Sequence, residues 1–394
     1  MDKYTEALKG LISYVEGEGY RGYDPYDTLN SFLPFGIFGK WGRIIAIQLQ
    51  KRNPVNIRSL IGIKKEINPK AMGLFLHSYA LLQREQNDNA YKERMEYVFN
   101  WLRENYTRGY SGHCWGYNFV WAGTQKTLQR FHPSIVVTAF VCKGIYEYYL
   151  TTSDERAVEL LKSAADYILK DLPLTETQEG ICFAYTDIIK DCCYNASMLG
   201  AEVLARLYSI TREEHLKKRA LRATDFVVAH QHDDGHWNYD IDLATGKEKA
   251  QIDFHQGYII DSIAAVEEYC DPGNTRYRSA VQRGLDYYRQ KQFTNEGKSL
   301  WRIPQKFPVE IHNQSQGILT FTRIKKIFPE YFSFAETVAD FTIQNFRDKK
   351  DGYFYYRVLP FYTNRIPYMR WSQAWMMLAL TELSIARKAG TPSH

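Results

Sequence analysis

The sequence predicts an all-α fold in which six helical hairpins close into a ring. A glycine followed by aromatic residues recurs along the chain, in copies that begin at Gly22, Gly112, Gly180, Gly235, Gly297 and Gly352. A small residue opens the apolar helix after each copy, and these residues are Gly73, Ser134, Ala196, Gly257, Gly317 and Ala374. Their separations of 57 to 62 residues divide the chain into six similar units. A continuous repeat of this kind favours one domain over residues 1–394.

The stretch from Arg222 to Gly257 contains one complete join between units. Its first part fits a helix, which Gly235 ends because glycine reaches the left-handed backbone conformation of a C-terminal cap. Trp237 and Tyr239 follow two residues apart, on one side of a short extended segment. His255 then opens a helix that is apolar around much of its circumference.

Each unit contributes an amphipathic helix, predicted on the outside, and a more apolar helix, predicted on the inside. The first helix covers residues 4–17. An additional apolar helix around 41–51 has no counterpart in the other units, and it would either add packing or cover one end of the fold. The remaining helices are predicted over residues 69–85, 88–106, 133–151, 154–171, 195–210, 212–231, 256–270, 275–292, 316–327, 330–347 and 371–388. Glycine and proline clusters occupy the joins.

Composition is that of an ordinary globular protein and argues against several classes of partner. Of 394 residues, 45% are hydrophobic and 24% are charged, and 50 basic against 45 acidic side chains give a net charge of +5. This near balance argues against nucleic acid as a partner. No stretch reaches the roughly 18 apolar residues of a membrane span, and the first residues do not resemble a secretory signal. The six cysteines form no disulfide-like pattern, which favours a cytoplasmic protein. The sequence does not predict the oligomeric state.

The periodicity and the glycine-aromatic signal resemble the six-hairpin (α/α)6-toroid superfamily over essentially the whole chain. Two shorter likenesses accompany it. Gln231 with Gly235-His-Trp237 is similar to the Gln-Trp repeat of triterpene cyclases, and the run from Gly22 to Ser31 resembles uncharacterised proteins of surface-polysaccharide loci. The toroid resemblance implies a funnel at the end where the inner helices begin. It also implies a carbohydrate-active enzyme, because toroids of this size include glycoside hydrolases, unsaturated-uronyl hydrolases, sugar epimerases and some lyases.

Carboxylates and histidines in the loops before the inner helices are the catalytic candidates. Glycoside hydrolysis needs a proton donor and a base or nucleophile on opposite sides of the bond. Asp187 and Asp240 follow aromatic segments and Asp253 precedes an inner helix, so these three are preferred. His255 and His312 occupy nearly equivalent positions of successive units, 57 residues apart. These two histidines suit proton transfer in hydrolysis, epimerisation or elimination.

A second group of loop residues is predicted to bind the substrate. Tryptophans stack on sugar rings, and arginines bind carboxylate or phosphate through paired hydrogen bonds. The predicted ligand is therefore an anionic sugar, such as a uronate or a sugar phosphate. The same tryptophans could instead pack in the core, and the arginines could pair with loop carboxylates. The predicted binding residues are Asp24, Asp27, Trp115, His132, Trp237, Tyr239, Trp301, Arg302, Arg357 and Arg370.

The leading interpretation is a glycoside hydrolase-like enzyme that uses carboxylate and histidine acid-base chemistry, with no cofactor and no metal. A sugar epimerase or a polysaccharide lyase on the same fold is one alternative. Another is a zinc-dependent prenyltransferase-like or cyclase-like toroid, since Asp191, Cys193 and His255 resemble the zinc ligands of protein prenyltransferases. A toroid without catalysis, serving as a glycan-binding module, is the last alternative.

Overall fold

The computed structural model describes residues 2–124 and 126–389, and within them the chain forms thirteen α-helices. A π-helical stretch, Tyr167–Asp171, continues the sixth helix, and another, Met369–Ala374, runs directly into the last. In chain order the helices are α1 (Lys3–Gly17), α2 (Gly39–Arg52), α3 (Pro69–Gln86), α4 (Asn89–Glu104), α5 (Ile135–Thr152), α6 (Glu155–Asp166), α7 (Tyr194–Thr211), α8 (Glu214–Ala229), α9 (His255–Cys270), α10 (Thr275–Gln292), α11 (Ile311–Arg323), α12 (Phe332–Phe346) and α13 (Trp375–Lys388).

Six of these helices form a closed inner ring. α3 packs on α5, α5 on α7, α7 on α9, α9 on α11 and α11 on α13, and α13 returns to α3. Each inner helix also packs against an outer helix, in the pairs α3–α4, α5–α6, α7–α8, α9–α10, α11–α12 and α13–α1. The predicted all-α architecture of six inner and six outer helices is therefore confirmed. The additional helix α2 belongs to neither ring.

Small residues allow the inner helices to approach closely. A Cβ atom on Gly73 would lie 2.7 Å from the Cα of Val141, and one on Gly144 would lie 2.3 Å from the carbonyl oxygen of Gly73. α3 and α5 therefore meet backbone to backbone at this crossing, where any side chain would force the helices apart. This contact is the physical reason for one of the recurring small residues.

Polar side chains at the start of the inner helices hold the aromatic loop segments in place. Gln256 on α9 accepts a hydrogen bond from the backbone N–H of Trp237 (3.0 Å) and donates one to its carbonyl (2.6 Å). Gln373 makes the same two bonds to the backbone of Phe354, both at 2.8 Å. Equivalent bonds join Gln314 to Gly297 and Ser299, Thr138 to Trp115, and Ser197 to Phe183. The repeated polar residues at these helix starts are therefore structural anchors.

Ten short strands lie in the loops of the described chain, all paired antiparallel. β1 (Trp121–Ala122) pairs with β2 (Thr127–Leu128), and β3 (Leu174–Glu176) pairs with β4 (Ile181–Phe183). Two three-stranded sheets join loops of neighbouring units. They are β5–β6–β7 (Cys192–Cys193, Asp240–Asp242, Lys247–Glu248) and β8–β9–β10 (Val309–Glu310, Arg357–Val358, Thr363–Asn364).

A network of buried charges runs around the inner ring. Arg323 Nη2 lies 2.6 Å from Glu382, and Lys143 Nζ lies 2.9 Å from Glu202. Burial alone would raise the pKa of Glu202, but Lys143 and Arg206 lower it to about 2. Every inner helix supplies at least one member, and together they are His77, Lys143, Glu147, Glu202, Arg206, Asp261, Arg323 and Glu382. This network is not predicted from the sequence.

α11 begins at Ile311, five residues before its predicted start. The polar run from His312 to Gln316 reads as a loop in the sequence. In the structure Asn313, Gln314 and Ser315 bond to backbone groups, as when the amide of Asn313 donates to the carbonyl of Leu300 (2.7 Å). His312 and Gln316 bond to other side chains. A buried polar group that is hydrogen-bonded costs little, so this run forms the first turns of an inner helix.

Candidate active site

The six inner helices begin around one cavity of about 760 Å³. Its other walls are formed by α2, by β1 and β2, and by strands of the two three-stranded sheets. Each inner helix contributes a lining residue from its first turns or from the segment just before it, and these are Lys70, Val136, Asn195, His255, His312 and Arg370. The cavity therefore lies at the end of the ring where a funnel is expected.

Asp253 and His255 form a hydrogen-bonded pair on the cavity wall. The backbone N–H of His255 donates to Asp253 Oδ1 (3.2 Å), and its ring Nδ1 bonds to the same oxygen. Asp253 Oδ2 accepts from Gln251 (2.9 Å) and lies 3.5 Å from Arg302 Nε. Burial alone would raise the pKa of Asp253, but His255 and Arg302 lower it. The ionised carboxylate orients the ring and leaves Nε2 available to a substrate proton.

His312 is the second histidine of the cavity and is almost fully buried. Its Nε2 lies 2.6 Å from the hydroxyl of Tyr258, and its ring packs against Phe254 with centroids 4.2 Å apart. Burial and the charge of Lys70 hold its pKa well below its usual range, so the imidazole is neutral. Its Nδ1 has no hydrogen-bond partner in the described part of the chain.

Three of the four carboxylates among the described lining residues are paired with cations. Asp191 lies 3.1 Å from Lys126, Asp253 pairs with His255 and Arg302, and Arg357 Nε donates to Glu310 at 2.6 Å. The fourth carboxylate belongs to Asp240 on β6.

Asp240 differs from the other cavity carboxylates in having no ion pair and no side-chain hydrogen bond within residues 2–124 and 126–389. Burial raises its pKa, Asp191 raises it further, and Lys249 opposes the shift. A raised pKa favours the protonated form, so Asp240 is the cavity carboxyl best suited to donate a proton.

Basic side chains outnumber carboxylates on the cavity wall. Lys70, at the start of α3, places Nζ 4.1 Å from the ring centre of Phe140 and 5.2 Å from that of Trp375. Burial and the charge of Arg370 hold its pKa well below its usual range. The four carboxylates of the described lining face eight basic side chains, namely Lys51, Arg52, Lys70, Lys126, Lys249, Arg302, Arg357 and Arg370. An anionic ligand in the cavity would favour the protonated forms of Lys70 and Lys51.

Of these eight cations the sequence predicted only Arg302, Arg357 and Arg370, and the five that it missed include the buried Lys51 and Lys70. Lys51 projects from α2, bonds to the hydroxyl of Tyr26 and lies 4.2 Å from that ring's centre. Burial and the charge of Arg357 lower its pKa to about 7. A lysine near a helix end is usually solvated. The sequence does contain a signal for Lys70, because this lysine lies among apolar residues at the start of an inner helix.

Aromatic rings cover much of the remaining wall. Tyr239 contacts His255 edge-on, with ring centroids 5.0 Å apart. Such rings can stack on the apolar faces of sugars. Two predicted binding residues, Tyr239 and Trp301, belong to this set, which consists of Tyr26, Tyr117, Phe119, Trp121, Tyr185, Tyr239, Phe254, Tyr258, Trp301, Tyr362 and Trp371.

Two predicted binding residues, Trp115 and Trp237, lie in the core instead. They expose 1% and 0% of their surface, and their indole N–H groups donate to the carbonyls of Leu102 (3.1 Å) and Val227 (2.8 Å). Both rings pack beneath the loops, where a sugar has no access. The alternative interpretation of core packing is the correct one for these two.

Asp187 and His132 bond to each other outside the cavity lining. His132 Nε2 lies 2.7 Å from Asp187 Oδ1, and Tyr110 donates to Asp187 Oδ2 at 3.2 Å. The structure therefore separates Asp187 from the other catalytic candidates. The cavity brings Asp240, Asp253, His255 and His312 together.

Asp24 and Asp27 are buried beside the cavity and hold arginines. Asp24 accepts two hydrogen bonds from Arg370, at 2.6 and 2.8 Å, and Asp27 accepts one from Arg58 at 2.7 Å. Burial raises the pKa of Asp27 to about 6, although Arg58 opposes the shift. Asp24 therefore positions Arg370 at the cavity wall, and neither carboxylate lines the cavity itself.

The three residues of the zinc alternative all line the cavity but have other partners. Asp191 pairs with Lys126, His255 bonds through Nδ1 to its neighbouring carboxylate, and Asn195 donates to Cys193 Sγ (3.1 Å). Burial raises the pKa of the Cys193 thiol to about 12. Among residues 2–124 and 126–389, no group of three or more His, Cys, Asp or Glu side chains is placed to hold a metal ion. The donor geometry therefore does not favour this alternative.

No protein-family model matches the chain, and no curated protein does. Solved structures establish the class of fold as the (α/α)6 toroid. An α-mannanase of glycoside hydrolase family 76 from Bacteroides thetaiotaomicron superposes with a TM-score of 0.69, over 99% of this chain and 98% of its own, at 13% identity.

Other toroids that superpose on most of this chain are named for different reactions. A cellobiose 2-epimerase from Bacillus thermoamylovorans superposes with a TM-score of 0.66, over 82% of this chain and 88% of its own, at 15% identity. A possible member of glycoside hydrolase family 105 from Salmonella enterica reaches 0.65, over 99% and 96% of the two chains, at 13% identity. At such identities the likeness establishes the fold and not the reaction.

Proposed function

We propose that this protein is a carbohydrate-active enzyme, a glycoside hydrolase-like toroid that acts on an anionic glycan. The observation that carries the proposal is the contrast between Asp240, an unpaired carboxyl with a raised pKa, and the ionised Asp253 that holds His255 in the same cavity. Environments that push pKa values apart separate an acid from a base. Solved structures of this fold include enzymes named for sugar substrates, which favours a sugar here too.

In the proposed reaction Asp240 donates its proton to the glycosidic oxygen while the bond from that oxygen to the anomeric carbon breaks. His255 accepts a proton at Nε2 from the water that attacks the anomeric carbon. Asp253 stabilises the imidazolium that forms. The leaving sugar departs as an alcohol, and the oxygen of water remains on the other sugar. Proton transfer from His255 to Asp240 through solvent restores both groups.

The basic side chains of the cavity would bind the acidic group of the substrate, whose negative charge would favour the protonated form of Lys70. Lys70 has no carboxylate partner in the described part of the chain, and Arg302 keeps 43% of its side chain exposed while it lies near Asp253. Charged hydrogen bonds of this kind are strengthened in a partly desolvated cavity. The aromatic rings of the wall would orient the sugar rings by stacking.

Sugar epimerisation is the second candidate, and one observation favours it. His255 and His312 line the same cavity, and two proton-carrying groups on opposite faces of a carbon can remove and return a proton.

Isotopes distinguish the two reactions. The enzyme is incubated with a panel of uronate-containing oligosaccharides, once in oxygen-18 water and once in heavy water. Hydrolysis creates a new reducing end that carries oxygen-18. Deuterium on a sugar carbon, with every glycosidic bond intact, would assign epimerisation instead of hydrolysis, and intact oligosaccharides without carbon-bound deuterium would contradict both.

His255→Ala is expected to lower kcat by a factor of about 100 or more, because it removes the proposed base. His236→Ala is a matched control, since Asp234 and His236 repeat the same local arrangement outside the cavity, with Nδ1 2.5 Å from Oδ1. The control should keep its activity. Equal losses in the two variants would indicate a structural effect and remove His255 from the mechanism.

Lys249→Met is expected to move the alkaline limb of the pH profile of kcat/KM to higher pH. The charge of Lys249 lowers the pKa of Asp240, so its removal lets burial raise that pKa further. A general acid works in its protonated form, and activity is lost as pH rises through its pKa. The acid limb should stay in place. The control is Lys247→Met, which changes an exposed neighbouring lysine. An alkaline limb that moves to lower pH in Lys249→Met would contradict the assignment of Asp240.

A further inference from the structure

The outer face of α2 and the loops beside it expose a cluster of large apolar side chains. Within the described residues, nine of the seventeen exposed large hydrophobic side chains lie between positions 32 and 60. Phe38 and Trp41 expose 75% and 62% of their surface. Trp41, Ile45 and Leu49 follow at four-residue steps and so share one helix face. The α2 patch is defined here as Phe32, Ile37, Phe38, Trp41, Ile45 and Leu49.

The chain around the α2 patch carries only positive charge. From Thr28 to Lys65 the sequence contains seven lysine and arginine residues and no aspartate or glutamate. Lys40 and Arg52 lie exposed at the two ends of α2. An apolar helix face with lysine and arginine beside it is typical of segments that lie in the surface of an anionic bilayer.

The opposite face of α2 lines the cavity through Ile44, Ile47 and Lys51. The hairpin between β9 and β10 extends the same rim, because Tyr362 lines the cavity while its neighbour Phe361 is 98% exposed. This hairpin is tied to the end of α2, where the amide of Asn364 donates to the carbonyl of Asn53 at 3.1 Å. The α2 patch and the cavity therefore lie on two faces of one helix.

We propose that the α2 patch docks on an anionic phospholipid bilayer and brings the cavity to lipid-anchored anionic glycans. The apolar side chains would enter the headgroup region, and the basic residues would bind lipid phosphates. α2 is about 21 Å long at 1.5 Å per residue and would lie along the surface. No helix among residues 2–124 and 126–389 is long and apolar enough to cross a membrane. The docking stands on the surface alone, whereas the substrate class rests on the proposed function.

Vesicle flotation tests the docking without any substrate. The protein is mixed with vesicles of phosphatidylglycerol and phosphatidylcholine in equal parts, or of phosphatidylcholine alone. Binding to the anionic vesicles should be at least tenfold stronger and should weaken with added salt. Trp41→Ser/Leu49→Ser should lower it at least tenfold. The matched control is Leu150→Ser/Ile188→Ser, which removes two comparably exposed apolar side chains elsewhere and should bind like the wild type.

Absence of binding to anionic vesicles would overturn the docking proposal, and so would equal losses in the two double variants. One further outcome would assign the patch to a second copy of the chain. In that case the wild type does not bind vesicles and sediments as a dimer, and Trp41→Ser/Leu49→Ser sediments as a monomer. Neither Trp41 nor Leu49 lines the cavity.

The substrate class has a separate test. Trp41→Ser/Leu49→Ser should turn over a free uronate oligosaccharide like the wild type, and should lose at least tenfold when the same glycan is anchored to vesicle lipid. Equal rates on the anchored glycan would overturn the assignment of a lipid-anchored substrate. No turnover of either form by the wild type, with vesicle binding intact, would instead contradict the proposed function.

Discussion

Asp240→Asn is expected to lower kcat by a factor of about 100 or more, the usual loss when a general acid is removed. Asparagine keeps the shape of the side chain but has no acidic proton to donate. The Asp240 carboxylate makes no hydrogen bond or ion pair within the described residues, so the fold should not change. The measurement is kcat on the oligosaccharide that the isotope experiment identifies, with circular dichroism and Tm as checks of folding.

Asp242→Asn is the matched control for this variant. Asp242 lies two residues further along β6 and is exposed, and its Oδ1 accepts a hydrogen bond from the backbone N–H of Ala244 at 3.0 Å. An amide oxygen can replace that acceptor, so kcat should stay within a factor of about two, since no acid-base role is lost. Full activity of Asp240→Asn would show that another group donates the proton.

Arg323→Met is expected to lower the free energy of unfolding by about 3 to 5 kcal/mol, the usual cost of breaking a buried ion pair. Arg323 lies 2.6 Å from Glu382 and 2.7 Å from Asp261, and both carboxylates are nearly buried. Methionine fills a similar volume but leaves these two negative charges without their partner. Chemical denaturation of wild type and variant measures the difference.

Arg276→Met on the outer helix α10 is the control for this loss. Its partner Asp225 lies at a similar distance, 2.8 Å, but both side chains are substantially exposed. An exposed pair contributes about 0 to 1 kcal/mol, so the control should be nearly as stable as the wild type. Equal destabilisation of the two variants would contradict the structural role assigned to the charge network.

The fold could be predicted because similar local sequence signals recur from unit to unit. Helical periodicity, glycine stops and small residues at helix starts recur along the chain, and six units of similar length can close into a ring. The charge network could not be predicted in this way. Lys143 and Glu202 resemble solvated helix residues in the sequence, and only the packing of one inner helix on the next brings their side chains together.

The candidate site was predicted in part because equivalent positions of a repeat converge in space. This convergence brings Asp240, Asp253, His255 and His312 to one cavity. The prediction that Trp115 and Trp237 bind the substrate was wrong. A two-residue spacing puts side chains on one side of a strand but does not indicate which side faces the core. Burial against ring neighbours decides that question.

Isothermal titration calorimetry measures whether the cavity prefers an anionic sugar to a neutral one. The Asp240→Asn variant is titrated with a uronate oligosaccharide and with its carboxyl-reduced, neutral counterpart. One charged hydrogen bond contributes about 1.5 to 3 kcal/mol, so the uronate should bind at least about tenfold more tightly. Adding Lys70→Met to the Asp240→Asn variant should reduce the difference in affinity between the two oligosaccharides. Equal affinity for the two oligosaccharides would show that the cavity does not recognise the negative charge of the sugar.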